Sequence, residues 1–208
     1  MSLLQEVKNK LFRAHFITPR YRMVGREMPQ DITILSNTCL GGVIYHELGL
    51  RFLSPTINLW MTPADFIKYC ARLQHYSACR LRFARSGECS YPVGILEDLT
   101  IYFQHYKSEA EAQAKWEERT SRINYDNIRC ILTERDGCTE ADLEAFARLP
   151  YPTAALVHTP KPHLPNTHYI RGFEKETELG NLMLFRQGKY LGRKYLDYFN
   201  FVSFLKQK

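Results

Sequence analysis

The sequence predicts an α/β protein: a layered, mostly parallel or mixed central sheet with helices on both faces. Three observations predict it. Short runs of β-branched and aromatic residues alternate along the chain with helix-length segments. Three of those segments open on a hydroxyl residue with an acid three positions later: Thr62 with Asp65, Ser108 with Glu111, and Thr139 with Asp142. That is the pattern of a capped helix start. A chain of 208 residues with 45% hydrophobic content is also long and apolar enough for one core.

Taken in order, residues 1–14 read as a helix and 15–30 as a basic connector carrying Pro19 and Pro29. An apolar strand at 31–36 runs into a turn with two glycines, then a short helix at 42–48. Residues 56–61 read as a second strand, and a helix follows from Thr62 to about residue 76, with Pro63 at its first position. Strand candidates lie at 79–84, 93–96 and 99–105, the last the clearest by composition. The second and third suit an antiparallel pair. A polar helix at 108–122 precedes a strand at 128–133, and a helix from 139 ends before Pro150. A strand at 154–158 leads into an extended loop enforced by Pro160, Pro162 and Pro165. A short edge strand at 168–170, a loop at 173–190 and an aromatic helix at 191–205 close the chain. The expected organisation is an N-terminal helix and connector over 1–30, then one α/β domain over 31–208.

Composition narrows the function. No apolar run approaches the roughly 20 residues of a membrane span. The first residues lack the basic-then-apolar order of a signal peptide, so the expectation is a cytoplasmic protein, with the inner membrane face as a second location. The six cysteines are scattered without close pairs, which argues against a structural zinc site and for reduced thiols. No metal ligand set and no particular cofactor is indicated. The net charge of +6 is uneven: residues 1–30 carry +4, residues 186–208 carry +5, and the body between carries −3. Basic ends of this kind suit an anionic surface. Leu3, Leu4, Val7 and Leu11 recur at helical spacing with Lys8, Lys10 and Arg13 off the stripe. Such a helix either docks on the domain or lies on a membrane surface. No basic run or nucleic-acid motif is present, so nucleic acid is not an expected partner.

Open α/β sheets bind ligands beyond the carboxyl ends of their strands. Three predicted loops share that edge: residues 36–42, 134–138 and 158–161. Cys39, at a helix start, is a candidate nucleophile, although His46 is too far along the same helix to serve as its base. Ser36, Asn37, Gly41 and Gly42 could hold a phosphate through backbone and side-chain donors, or serve the packing of the turn. Asp136 is a candidate general base or simply a turn residue. Arg135, His158 and Lys161 are candidate ligands for anionic groups. His105, at a strand end, is a candidate acid or base.

Several motifs in order resemble a bacterial family whose members are often filed under exopolysaccharide biosynthesis. They are Ser36-Asn37-x-Cys39-x-Gly41-Gly42-x-x-Tyr45, Leu48-Gly49-Leu50, Ser54-Pro55-Thr56, Tyr91-Pro92-Val93-Gly94, His105-Tyr106-Lys107-Ser108, Lys115-Trp116, Arg119, Arg122-Ile123-Asn124 and Asp136-Gly137-Cys138. The resemblance spans residues 30–205. It implies an α/β fold and a role in capsule or surface-polysaccharide synthesis, and carries no catalytic residues with it. The chain has no Asp-x-Asp motif of a metal-dependent sugar transferase. The leading expectation is a transferase taking a nucleotide sugar or other phosphorylated small molecule. A non-catalytic scaffold of the polysaccharide machinery is the alternative, and a cysteine-dependent hydrolase or acyltransferase the third reading.

Overall fold

A computed structural model describes residues 2–84, 89–187 and 191–207. The fold is α/β. Four parallel strands form the main sheet in the order β1 (Thr33–Ser36), β5 (Ile128–Thr133), β6 (Thr153–Val157), β7 (Thr167–Tyr169). A small antiparallel sheet joins β2 (Arg82–Phe83), β3 (Val93–Leu96) and β4 (Leu99–Tyr102). The antiparallel pair expected near 93–105 therefore exists, but as its own layer. A bridge from Trp60 to Tyr102 ties that layer to the segment after β1.

Helices cover both faces of the main sheet. On one face Ile34, Ile131, Ala154 and Leu156 pack with Ile44 and Tyr45 of α3 (Leu40–Leu48) and with Phe201 and Phe204 of α8 (Phe201–Leu205). On the other, Leu35, Leu132, Ala155 and Val157 pack with α4 (Pro63–Ala71), α6 (Glu109–Thr120) and α7 (Glu140–Ala147), through Phe66, Trp116 and Phe146. Alternate residues of one strand feed opposite cores, so β5 is buried along its whole length. The three sequence-predicted caps form. Thr62, Ser108 and Thr139 each accept the backbone N–H three residues on, and Asp142 returns the bond to Thr139.

Several elements depart from the sequence reading. The connector at 15–30 is largely helical. After α1 (Leu3–Phe12) come a π-helical turn (Arg13–Ile17) and α2 (Thr18–Arg26). Pro19 comes just after the π turn within one helical run from Leu3 to Arg26, where the missing N–H of proline interrupts the helical ladder. The helix from Thr62 breaks at Arg72 (φ −126°, ψ 41°) and resumes as α5 (Leu73–Ala78). Residues 56–61 form no strand beyond the single bridge at Trp60. The closing aromatic helix is instead a 3₁₀ turn (Tyr195–Tyr198) and α8, whose N-cap Asn200 accepts from Ser203 N.

Candidate functional site

The parallel register brings the carboxyl ends of β1, β5 and β6 to one edge, and the three predicted loops meet there. They differ in what their side chains do. In the first loop Ser36 Oγ donates to Thr38 O at 2.6 Å and accepts Gly41 N at 2.9 Å. The Asn37 amide donates to Thr133 O at 3.1 Å and accepts Thr133 N at 2.8 Å, extending the β1–β5 ladder by one side chain. The glycines lie in the first turn of α3 rather than in a loop before it. A Cβ at Gly41 would stand 2.8 Å from Ser36 Oγ and 3.3 Å from Ile34 O, so the helix start approaches the strand closely. A Cβ at Gly42 would reach Ile57 at 3.3 Å.

The third loop is also engaged. His158 offers its backbone N–H and Nδ1 to the buried Glu134 carboxylate at 2.8 and 2.6 Å. Lys161 pairs with Glu140 at 2.8 Å, which raises its pKa through that hydrogen bond. The second loop differs. Arg135 and Asp136 pair with each other at 3.0 Å and face an open chamber of about 840 Å³. Asp136 holds a left-handed backbone, φ 57°, and its N–H bonds Glu178 at 2.7 Å. Thr38, Trp60, Gln104 and His105 line the same chamber, with residues 172–181 on its far side.

A second chamber of about 960 Å³ adjoins it, with Val43, Phe52, Met183 and Phe185 among its walls and Glu47, His46 and Lys10 at polar positions. Cys39, His105 and Leu184 line both, so the two are parts of one cleft, one polar and one largely apolar. Asn58, with φ 60°, borders the apolar chamber as Asp136 borders the polar one. Burial pushes the Cys39 thiol up from its ordinary value, only partly offset by a backbone hydrogen bond and the Arg135 charge. Among the described residues no histidine hydrogen-bonds that thiol. Burial likewise pushes Cys138 up to about 12.

The family model described as "Domain of unknown function (DUF1919)" matches residues 8–206. The chain belongs to this family. It is also 41% identical, over 175 residues and 84% of each chain, to an uncharacterized protein of Haemophilus influenzae. The match to the family begins within α1 and ends after α8, so it takes in both chambers of the cleft.

In this DUF1919 chain the structure brings Cys39, His105, Arg135 and Asp136 to one cleft, with Gly42 at its apolar side. It sets Ser36, Asn37 and Gly41 behind the wall as structural groups, and His158 and Lys161 outside. Sequence reading missed Trp60, Gln104 and the segment 172–181. The left-handed Gly172 (φ 103°) and the Asn181 turn, whose side chain accepts Met183 N, are signals that mark this segment as a shaped loop. Sequence reading also missed a trio on the small antiparallel layer. His75 and Cys79, four residues apart, meet Glu97, and their ligand atoms lie within 4.8 Å of one another. The three satisfy each other, with His75 Nε2 to Glu97 at 2.7 Å and the Cys79 thiol to Glu97 at 3.1 Å. His75 lies on α5 and Cys79 just past its end, and neither their meeting nor the approach of Glu97 was legible in the sequence.

Proposed function

We propose that this chain is a group transferase of surface-polysaccharide synthesis, working on a phosphate-bearing donor in the polar chamber. One observation carries the reading. A guanidinium, a carboxylate, an imidazole and an indole face one chamber, and that chamber opens into an apolar one. The pairing suits a substrate with a polar head and an apolar tail. Within the 36–42 turn the donors of Asn37 and Gly41 are held by the chain, so Arg135 carries the donor phosphate. Trp60, stacked on Tyr102 at 3.9 Å, gives the apolar face of a sugar ring a wall to pack on. An acceptor hydroxyl oxygen bonds to the donor sugar carbon that carries the phosphate, and its proton passes to Asp136 or His105. The phosphate leaves with the bonding electron pair, its charge met by Arg135. The family resemblance supports the polysaccharide setting, and the protein's place in it is cytoplasmic.

Thermal unfolding against nucleotide sugars, nucleoside phosphates and sugar phosphates tests this. A ligand at 100 times its dissociation constant stabilises by about 2.7 kcal/mol. The shift is expected to vanish in Arg135→Gln and persist in Asp136→Asn, which abolishes transfer. Full activity in Asp136→Asn and His105→Gln alike removes both as bases. The engaged state of Asn37, Ser36 and Gly41 favours a second reading, a non-catalytic binding protein; that reading predicts a shift without turnover. A cysteine-dependent hydrolase fits less well, because burial disfavours the Cys39 thiolate.

A further inference from the structure

We propose that the N-terminal arm docks this protein on an anionic membrane surface, with the apolar edge of α1 in the headgroup boundary. An amphipathic helix on a globular protein ordinarily turns its apolar stripe to the core. Helix α1 does the reverse. Leu3, Leu4, Val7 and Leu11 are 80%, 65%, 45% and 56% exposed, while Asn9 and Arg13 are buried. The docking side is held by polar groups. Asn9 Oδ1 accepts Gly192 N at 2.9 Å, and Arg13 bridges Glu47 and Asp197 at 2.8 and 2.9 Å. The π turn that follows keeps Ile17 on that buried side and leaves Phe16 exposed.

At about 100° per residue, the four exposed apolar side chains fall within an arc of about 100°. Lys8 stands beyond one border of that arc and Lys10, ion-paired to Glu6 at 2.7 Å, beyond the other. An apolar band between lysines is the arrangement of a helix lying in a membrane interface, where long cationic side chains reach back to the headgroups. Arg20, Arg22 and Arg26 are exposed along α2 of the same arm.

The charge distribution selects the occupant. On the arm Lys8, Lys10, Arg20, Arg22 and Arg26 are exposed, and the contacts of Asn9 and Arg13 with Gly192 and Asp197 bring the exposed Arg193 beside α1. These described cations surround the arm that carries the apolar stripe. A second copy seated on this stripe would set the basic arm against itself, a like-charge contact that disfavours self-association. Anionic lipid complements both the charge and the stripe. Glu6 and Lys10 also border the apolar chamber, so a docked arm sets the mouth of that chamber beside the bilayer.

The test is co-sedimentation of the full chain with phosphatidylcholine vesicles, with and without phosphatidylglycerol, and uses no catalytic readout. Binding is expected to the anionic vesicles and to fall as salt rises. The double variant Leu4→Ser, Leu11→Ser should bind about tenfold more weakly or worse, and Lys8→Gln about fivefold more weakly. Both should unfold at the wild-type temperature, since the side chains removed are exposed. No binding by the wild type, or equal binding by the leucine variant, overturns the proposal. So does a concentration-dependent dimer in sedimentation velocity that the leucine variant abolishes, because the stripe would then serve a protein partner.

Discussion

Two neighbouring loops at one sheet edge hold the same kinds of residue and use them differently. After β1, Ser36, Asn37 and Gly41 direct their polar groups into the chain. After β5, Arg135 and Asp136 bond chiefly each other, and both face the cleft. The first loop is a clamp joining β1 to β5; the second is a surface offered to a ligand. A residue type therefore assigns a capability, and the partner within reach decides whether the capability is available. Asn37 sits between strands whose last N–H and C=O need partners, so its amide completes the ladder. Asp136 sits one residue past Arg135, in a left-handed turn that aims it outward.

The largest effect that would break this comparison is at Asn37. Asn37→Ala leaves the N–H and C=O of Thr133 buried without partners, a loss of about 2–5 kcal/mol. Urea unfolding measures it. A variant that keeps wild-type stability and loses only ligand binding would move Asn37 from the clamp to the site. Gly41→Ala follows, with a Cβ 2.8 Å from Ser36 Oγ and 3.3 Å from a backbone oxygen. The helix start must shift, at about 1–3 kcal/mol. An unchanged midpoint would show that the close approach is not tight.

Much of the fold was legible. The capping residues Thr62, Ser108 and Thr139 mark real helix starts because a cap is a local bond between residues three apart. The buried strands β5 and β6 were legible from composition. The arm at 15–26 was not, because Pro19 and its basic neighbours read as a connector while the helix is held by distant partners, Thr18 on Glu47 and Tyr21 on Asp197. Nor was the split of the sheet into two layers, since strand composition does not specify which strand pairs with which. At the site, Cys39, Arg135 and Asp136 were legible as loop residues on one sheet edge, whereas His105 was legible only as the end of a strand, and it reaches the cleft from beyond β4 of the small sheet. Trp60 and residues 172–181 come from irregular segments that enter the cleft only through tertiary packing, a placement that no periodicity encodes.

The comparison is sharpened by thiol chemistry across the edge. Cys39 lies between the clamp and the exposed pair, and burial holds its pKa above that of a free thiol. At a given mildly alkaline pH it carries less thiolate than free cysteine. Its alkylation by iodoacetamide should therefore be slower than that of a model thiol, and should go on rising with pH where the model thiol has levelled off. Mass spectrometry of the Cys39 peptide follows the rate. Fast labelling at neutral pH would mean that Arg135 outweighs burial, and would return Cys39 to the reactive groups of the cleft.

The smallest stability effect is expected at Asp136. Asn shares the capacity of Asp for a left-handed backbone, and the side chain removed bonds only Arg135, at the surface. The change in unfolding free energy for Asp136→Asn should stay within about 0.5 kcal/mol. Set beside Asn37→Ala, this makes a paired measurement: two polar residues at one edge, one expected to fail in folding and the other in function. If Asp136→Asn destabilised the chain as much as Asn37→Ala, the second loop would be a clamp as well. The cleft would then lose the group that distinguishes a site from a scaffold.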